Sequence, residues 1–389
     1  MALKEKQKSY RGPKFLKCKE SGKIRGIVFG DVHLGHDTVK SIHILQALDH
    51  TMKQVDIKTL DLIIIEGDLF DQSMNYHHDD VLAIEKWFSK LFKIAAKYNI
   101  AIRIVEGTPS HDMKQSVNLV KLNEVMGNIV DLKYYDDIAL EINDELGYSC
   151  IYVPDEIDSP HINCFNRARD LLTEAGLEKA TFAIMHGSFD YQFPSYMNVD
   201  SHDSKLWSTI VEKWIFIGHV HTRSVYKNII IASGSVERLR HGEQEKKGMT
   251  YFEATDSDKS QKFLVNEISI LFNTYKVNKV DDETIADIDA KLEKLPNGSH
   301  VRFMGPDRSI LSGFLSHFDF KFDKIKFKIE VEDPDKKKKD QLTYPTIKNL
   351  VVPKHLTREN TVSLLIDRVK DRLDETKLAR FKEIMEDVA

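Results

Sequence analysis

The chain has 389 residues, of which 41% are hydrophobic and 30% are charged, and its formal net charge is −5. This length suits one large domain with smaller modules, and this composition is that of soluble globular proteins. No apolar run is long enough to span a bilayer, and no apolar segment follows the basic N-terminal residues, so we expect neither a transmembrane segment nor a secretory signal.

Residues 1–23 are predicted to be a basic tail, and residues 24–272 show the pattern of an α/β domain. Short apolar runs are each followed by a polar turn, which is typical of buried strands that alternate with helices. Residues 81–97 and 113–126 have helical spacing. The predicted strands are Gly26-Ile27-Val28-Phe29, Leu62-Ile63-Ile64-Ile65, Ile102-Arg103-Ile104-Val105, Phe182-Ala183-Ile184-Met185 and Trp214-Ile215-Phe216-Ile217.

Each predicted strand is followed by residues that can bind a metal ion. Because ligands of an open α/β sheet gather at the carboxyl ends of its strands, we expect these clusters to converge. Carboxylates and imidazoles together suit Mn²⁺, Fe²⁺ or Zn²⁺ better than Ca²⁺. Two ions about 3.5–4 Å apart can hold a bridging hydroxide and polarise a phosphoryl group for in-line attack. The clusters are Asp31-Val32-His33, Gly67-Asp68-Leu69-Phe70-Asp71, Ser110-His111-Asp112, His186-Gly187 and Gly218-His219-Val220-His221.

Spacing within the clusters favours a shared site. Residues i and i+2 of an extended chain point to the same side, so Asp31 and His33 can bind one ion, and His219 and His221 can both face the site. Asp68, in a tight Gly-Asp turn, can bridge two ions with one carboxylate. A single Asp-x-His is more often structural or exposed, but five clusters in this order, each after a strand, predict a two-metal site.

Four longer segments carry a family resemblance: GDLFDQS at residues 67–73, HGSFDYQ at 186–192, GHVHTRS at 218–224 and ASGSVERLRHGEQEKKGMTYFE at 232–253. With the other clusters, they resemble the calcineurin-like metallophosphoesterase superfamily, and within it the SbcD-type DNA repair exonucleases that pair with an SbcC-type ATPase. The last segment resembles the Gly-Ser-Pro block of these nucleases, with Val236 in place of proline. The resemblance implies a two-sheet metallophosphoesterase sandwich flanked by helices, with a small α+β cap and a C-terminal helix pair.

The resemblance also implies two divalent ions, Mn²⁺ above all. His111 would act as general acid or transition-state stabiliser near the leaving oxygen, and Asp112 would orient it. The implied ligands are Asp31, His33, Asp68 and His221 for one ion, and Asp68, His186, His219 and a residue of the third motif for the other.

The third motif departs from the family pattern, which reads Gly-Asn-His-Asp. The segment Gly107-Thr108-Pro109-Ser110 is two residues longer before His111, so that Ser110 occupies the asparagine position. A serine hydroxyl is a shorter and weaker donor than an amide carbonyl. We therefore expect Ser110 to hold a more weakly bound second ion; Thr108, a water or a loop carbonyl are the alternatives.

Three further residues are candidates for substrate contact. Asp71 is the last residue of the cluster Gly67-Asp68-Leu69-Phe70-Asp71, although a solvated loop suits it equally. Arg238 and Arg240 could contact phosphate, although arginines at a strand edge often only pair with carboxylates.

After residue 272 the pattern changes. Residues 273–331 are predicted to be a capping domain, with a helix at 283–295 and a two-strand hairpin in HFDFKFDKIKFKIEV at 317–331. Residues 332–356 are predicted to be a charged linker and connector. Residues 357–389 are predicted to be two helices with apolar stripes; the resemblance implies that they dock on the ATPase, and folding back on the cap is the alternative.

The leading hypothesis is a Mn²⁺-dependent DNA exonuclease or endonuclease subunit in repair, recombination or replication, hydrolysing phosphodiesters with a two-metal-activated hydroxide. Its expected partners are DNA and an SbcC-type ATPase, with a nuclease homodimer inside a heterotetramer and no membrane. The alternatives are a small-nucleotide phosphodiesterase or phosphatase and a non-catalytic DNA-end-binding scaffold. Cys18, Cys150 and Cys164 lack metal-ligand spacing and indicate free thiols, so we expect a cytoplasmic location, in a host cell if the chain is viral.

Overall fold

The computed structural model describes residues 19–20, 22–74, 80–155, 157, 159–194, 196–197, 199–279 and 281–332. Apart from Glu332, these residues belong to one compact unit. Most of the predicted basic tail, the linker and the helical tail lie outside the described residues, as does Cys18. Cys150 and Cys164 are buried free thiols, as predicted.

The described elements alternate in the way that the apolar runs predicted. The helices are α1 (Ser41–Met52), α2 (Val81–Tyr98), α3 (Pro109–Asp112), α4 (Val117–Val125), α5 (Ile162–Glu174), α6 (Ser204–Ile210), α7 (Asp282–Leu292) and α8 (Arg308–Lys321). The strands are β1 (Lys23–Phe29), β2 (Leu62–Glu66), β3 (Ala101–Val105), β4 (Leu132–Tyr135), β5 (Ala139–Asn143), β6 (Tyr148–Val153), β7 (Ala180–His186), β8 (Val211–Gly218), β9 (Ser224–Tyr226), β10 (Ile230–Ala232), β11 (Gly248–Thr255), β12 (Lys259–Val265), β13 (Phe272–Lys276), β14 (His300–Gly305) and β15 (Lys326–Val331).

Two mixed six-stranded sheets form the centre of the described structure, with strand orders β12-β11-β1-β2-β3-β4 and β5-β6-β7-β8-β10-β9. Strands β1 to β4 are parallel, as are β6, β7, β8 and β10. Side chains from both sheets, such as Val28, Ile64, Phe182 and Phe216, form one buried cluster between them. The predicted two-sheet sandwich is therefore confirmed, and all five predicted strands are strands of it.

Helices cover the outer faces of both sheets. Ile44 of α1 and Phe88 of α2 belong to the buried cluster on the first sheet. Phe165 of α5 and Trp207 of α6 belong to the cluster on the second sheet. The strands are nearly continuous apolar runs because both of their faces are buried. Among the described residues, no helix combines the length and the hydropathy that a membrane-spanning segment requires.

A buried ion pair joins the two sheets. Arg103 of β3 is fully buried, and its guanidinium donates to both carboxylate oxygens of Glu141 on β5, at 2.8 Å each. It also donates to Asp131 at 2.7 Å. Three tyrosine hydroxyls donate to the same Glu141 oxygen, at distances between 2.8 and 3.2 Å: Tyr135, Tyr148 and Tyr152. The opposite charges and hydrogen bonds of this network offset the hydration that Arg103 and Glu141 lose on burial.

Replacing Arg103 with methionine is expected to lower the free energy of unfolding by about 3 kcal/mol, because the buried Glu141 would keep only Lys133, 2.6 Å away, as a cationic partner. The matched control is Arg167→Met. The Arg167 guanidinium lies 2.7 Å from the Asp137 carboxylate, and both side chains are exposed. That loss should stay below about 1 kcal/mol. Urea unfolding of both variants measures the difference, and equal losses would contradict the structural role of Arg103.

The cap region differs from its prediction at one point. Strands β13, β14 and β15 form a parallel sheet, so β14 and β15 need a crossover, and α8 supplies it. The predicted two-strand hairpin is therefore wrong: Phe318 and Phe320 lie in α8. Leu311, Phe314 and Phe318 follow helical spacing and are buried, whereas Phe320 is 96% exposed. The same phenylalanines fit both a strand-like alternation and a helical spacing, and the side chains that are buried follow the helical spacing.

Candidate metal centre

The loops after β1, β2, β3, β7 and β8 meet at one edge of the sandwich, and glycines allow their close approach. A Cβ on Gly67 would lie 2.2 Å from Nδ1 of His186, and a Cβ on Gly107 would lie 2.0 Å from the backbone N of Asp68. The loop of Gly67 and Asp68 can approach His186 and the loop of Gly107 this closely only because Gly67 and Gly107 carry no side chain.

Backbone strain is concentrated in the same loops. Asp31, His33, Asp68 and His219 have positive φ angles of 46°, 53°, 45° and 100°. Residues other than glycine adopt such angles at a cost of order 1–3 kcal/mol each, and such strain clusters at functional sites. Four of the predicted metal ligands therefore have backbone conformations that are unfavourable in themselves, as is typical of functional sites.

Asp31, His33 and His221 form the first donor group, whose ligand atoms all lie within 4.8 Å of one another. The Nε2 atoms of His33 and His221 are 3.1 Å apart. Their Nδ1 atoms contact carboxylates, at 2.9 Å in Asp71 and 3.0 Å in Glu243. A carboxylate next to Nδ1 favours the tautomer that carries its proton there, in which Nε2 can bind a metal ion.

The first donor group fits a metal ion. Two nitrogens bound at right angles to one ion, each about 2.1 Å from it, lie about 3 Å apart. The Oδ1 atom of Asp31 accepts the backbone N–H of His219 at 2.7 Å. Its Oδ2 atom is buried and has no hydrogen-bond partner among the described residues, which leaves it available to a cation.

Asp68, His186 and His219 form the second donor group, again within 4.8 Å. His186 donates through Nδ1 to the Glu66 carbonyl at 2.7 Å, so its Nε2 atom faces the site. The Oδ1 atom of Asp68 lies 3.3 Å from this Nε2 atom, while Oδ2 lies 3.7 Å from Nε2 of His33. The two oxygens of Asp68 thus face the two donor groups.

Asp68 and His186 each favour the charged form of the other. Burial would raise the pKa of Asp68, but the charge and hydrogen bond of His186 hold it below its usual range. Burial would lower the pKa of His186, but Asp68 raises it well above its usual value. Because a metal ion must replace the His186 proton, metal uptake should release protons and weaken at low pH.

The third motif is arranged differently from the expectation for Ser110. Pro109 starts α3 as its first residue, and Ser110 in this turn is exposed. The Thr108 hydroxyl lies 3.3 Å from Oδ2 of Asp68, 3.4 Å from Nε2 of His186 and 3.3 Å from Nδ1 of His219. Thr108, the alternative donor of the third motif, is therefore the residue placed among the second group.

His111 lies at the open rim of the site. Its side chain is 39% exposed, and its ring centre is 5.0 Å from that of His33. Its Nδ1 atom contacts the backbone carbonyl of Asp71 at 3.0 Å. The buried Asp112 carboxylate accepts the N–H groups of Phe70 and Gly107, at 2.8 Å each, so it braces the loops of two motifs rather than the imidazole.

The predicted substrate contacts have separate environments. Asp71 contacts His33 and His111, as described above. Arg238 donates to the backbone carbonyls of Glu243 and Glu245, at 3.1 and 2.9 Å, and so braces a loop. Arg240 is 75% exposed and lies 3.4 Å from the Glu243 carboxylate.

Two acidic residues at the site were missed by the sequence reasoning. Glu243 lies within the segment 232–253 but received no role. Asp155 lies two residues after β6, with Oδ2 3.2 Å from the Thr108 hydroxyl and 3.4 Å from Nδ1 of His219. The carboxyl-end rule would have found Asp155, because residues 150–153 are an apolar run whose strand is parallel to β7.

Replacing Glu243 with glutamine is expected to weaken the affinity of the first donor group for Mn²⁺ by about 10–100-fold. Burial opposes the charge, but the His221 hydrogen bond and Lys247 lower the pKa of Glu243 to about 2, so a carboxylate orients His221 at neutral pH. Glu212→Gln is the control, because Glu212 is more than half exposed and pairs with Lys213 instead. Calorimetric titration with Mn²⁺ measures both, and an equal effect of the two variants would contradict the role of Glu243.

No family model matches this chain, and no curated protein matches it. Solved structures that match it include the crystal structure of TT1561 of Thermus thermophilus, with a TM-score of 0.37 and 10% identity, covering 62% of this chain and 99% of that one. Another matches with a TM-score of 0.36 and 11% identity, at the same coverage. Similarity this low identifies neither a family nor a function. What the chain itself presents, at the edge of a mixed α/β sandwich, is a set of residues that can hold metal ions, as a metal-dependent hydrolase requires.

Proposed function

We propose that this chain is a Mn²⁺-dependent DNA nuclease that hydrolyses phosphodiester bonds. The observation that carries the proposal is the position of Asp68, whose two carboxylate oxygens face two different groups of imidazole and carboxylate donors. Shared carboxylates of this kind are how a protein places two ions side by side.

The residues divide the work of the proposed reaction. Bound divalent ions would supply a nucleophile at neutral pH and neutralise charge on the phosphoryl group. His33 and His221 are held in one tautomer by Asp71 and Glu243, which keeps Nε2 available. His111, at the rim, would donate a proton to the leaving oxygen, with its ring oriented by the Asp71 carbonyl.

The proposed DNA substrate is supported first by the sequence. GDLFDQS, GHVHTRS and the segment 232–253 resemble the nuclease branch of the superfamily. The rim is also open: the side chains of His111 and His219 are 39% and 41% exposed, so the phosphodiester of a polymer has room to approach.

The cap region is joined to the loop that carries Glu243. His241 lies with its ring centre 5.2 Å from that of Phe272, and the Gln244 side chain donates to the Phe272 carbonyl at 3.3 Å. A cap that grips DNA would therefore be connected to the loop that orients His221. The further proposal of an SbcC-type ATPase partner, with a nuclease homodimer in a heterotetramer, rests on the apolar stripes in residues 357–389.

Cleavage assays with the full chain test the proposal. Supercoiled plasmid, linear duplex DNA and bis(p-nitrophenyl) phosphate are incubated with Mn²⁺, and with EDTA as the control. We expect Mn²⁺-dependent cleavage of DNA. Cleavage of the chromophore alone would point to a small-nucleotide phosphodiesterase, and binding of DNA ends without cleavage in Mn²⁺, Mg²⁺ or Zn²⁺ would point to a scaffold.

A further inference from the structure

We propose that Asp155 is a direct ligand of the ion held by Asp68, His186 and His219, with the Thr108 hydroxyl as its neighbouring donor. This inference rests on the two-metal site proposed above. It assigns a metal-binding role to a residue that belongs to none of the sequence motifs.

The argument starts from the distances around Thr108. Its Oγ1 atom lies 3.2 Å from Oδ2 of Asp155, 3.4 Å from Nε2 of His186 and 3.3 Å from Nδ1 of His219. The Oδ1 atom of Asp68 lies 3.3 Å from the same Nε2 atom of His186. In an octahedral shell each donor has four neighbours at about 1.4 times the metal–donor bond, or about 3 Å for bonds of about 2.1 Å. The Thr108 hydroxyl and these neighbouring atoms are spaced as donors to one ion would be, in a slightly expanded arrangement.

Burial supports a role for the Asp155 charge. Asp155 is 8% exposed, and its Oδ2 atom lies 3.4 Å from Nδ1 of His219. A carboxylate taken out of water is costly unless a cation or hydrogen bonds compensate it. A cation held by Asp68, His186 and His219 would lie beside this buried carboxylate and stabilise it further.

The two donor groups become equivalent once Asp155 is included. The first group has Asp31, two imidazoles and one oxygen of the shared Asp68. The second group would have Asp155, two imidazoles and the other oxygen of Asp68. Each divalent ion would then have one carboxylate of its own and share a second, and without Asp155 the second ion would have only the shared one.

The position of Asp155 in the fold follows the same rule as that of Asp31. Strand β6 is parallel to β7, with Val153 opposite Met185, so Asp155 and His186 emerge at the same edge of the second sheet. Asp31 and Asp68 emerge in the same way from β1 and β2 of the first sheet. Each sheet thus contributes one unshared carboxylate from the loop after a central parallel strand.

Metal-binding stoichiometry tests the assignment without reference to activity. Metal-free full chain is titrated with Mn²⁺, and the free ion is counted by its paramagnetic resonance signal. The wild type should bind two ions. Asp155→Ala should bind one with wild-type affinity and the second at least about tenfold more weakly. Asp170→Ala, at an exposed position of α5, is the matched control and should bind two like the wild type.

A direct spectroscopic test separates ligation from mere positioning of His219. Asp155→Cys loaded with Co²⁺ should show a thiolate-to-cobalt charge-transfer band that neither the wild type nor Asp170→Cys shows. A variant that binds two Co²⁺ ions without this band would overturn direct ligation. If Asp155→Cys does not fold, Asp155→Asn answers the question by titration, since it keeps the size of the side chain and loses the charge.

The outcomes distinguish this inference from the proposed function. A wild type that binds fewer than two Mn²⁺ ions would remove the two-metal site and the proposed function with it. A wild type that binds two ions, together with Asp155 variants of unchanged affinity, would overturn only the assignment of Asp155.

Discussion

In the Asp68→Asn variant we expect that two Mn²⁺ ions no longer bind simultaneously. The rate of DNA cleavage should fall by at least about a thousandfold. Asparagine has one oxygen, so it can face only one of the two donor groups, and it lacks the negative charge that both ions would share. Metal ions contribute several kcal/mol to the stabilisation of a phosphoryl transition state, and each 1.4 kcal/mol is tenfold in rate.

The measurement has two parts, Mn²⁺ stoichiometry and single-turnover cleavage of linear duplex DNA. Asp170→Asn, which makes the same change at an exposed helical position, should behave as wild type in both. Two ions bound to Asp68→Asn with undiminished affinity would show that Asp68 is not the shared residue. Loss of cleavage with both ions retained would instead assign Asp68 a role in catalysis that does not depend on holding the metal.

The strands and the clusters after them could be predicted because both signals are local. An apolar run such as Leu62–Ile65 and the acidic turn that follows it are contiguous, and the carboxyl-end rule places them at one edge of a sheet without further information. The residues that orient the imidazoles could not be found in this way. Glu243 reaches His221 across 22 positions, and only the folded loop shows which of the nearby acidic residues makes the contact.

The third motif shows what a sequence alignment leaves open. Aligned from His111-Asp112, Ser110 occupies the asparagine position, but the alignment does not show how the two extra residues fold. Pro109 starts a helical turn, which exposes Ser110 and leaves Thr108 at the position next to Asp68. The prediction of a hairpin in the cap was wrong because two periods overlap there. Phe318, Phe320 and Phe322 fit a period of two, but the burial of Phe314 and Phe318 follows the helical period.

The absence of an asparagine from the third motif and the presence of Asp155 near Thr108 have a common explanation. A longer third motif places a hydroxyl where an amide would reach further toward the ion. Asp155, from the neighbouring strand, lies 3.2 Å from that hydroxyl and brings a charged oxygen to the same place. The irregular motif is thus consistent with an intact donor set rather than with a lost site.

Replacing His111 with asparagine is expected to lower the rate of DNA cleavage by about 10²–10⁴-fold, the usual contribution of a general acid. Binding of Mn²⁺ should be unchanged, because His111 is at the rim and its Nδ1 atom contacts the Asp71 carbonyl. Cleavage of bis(p-nitrophenyl) phosphate should fall much less, since nitrophenolate leaves without needing a proton. A deoxyribose alkoxide, by contrast, leaves poorly until it is protonated.

The ratio of the two rate losses is therefore the decisive quantity. His50→Asn, in the last turn of α1, is the control and should leave both rates unchanged. Equal losses for DNA and for the chromophore, with both ions still bound, would argue that His111 stabilises charge on the phosphoryl group instead of protonating the leaving oxygen. Losses that follow a drop in Mn²⁺ affinity would move His111 into the metal-binding set, where its proximity to His33 and Asp71 already places it within ligand distance.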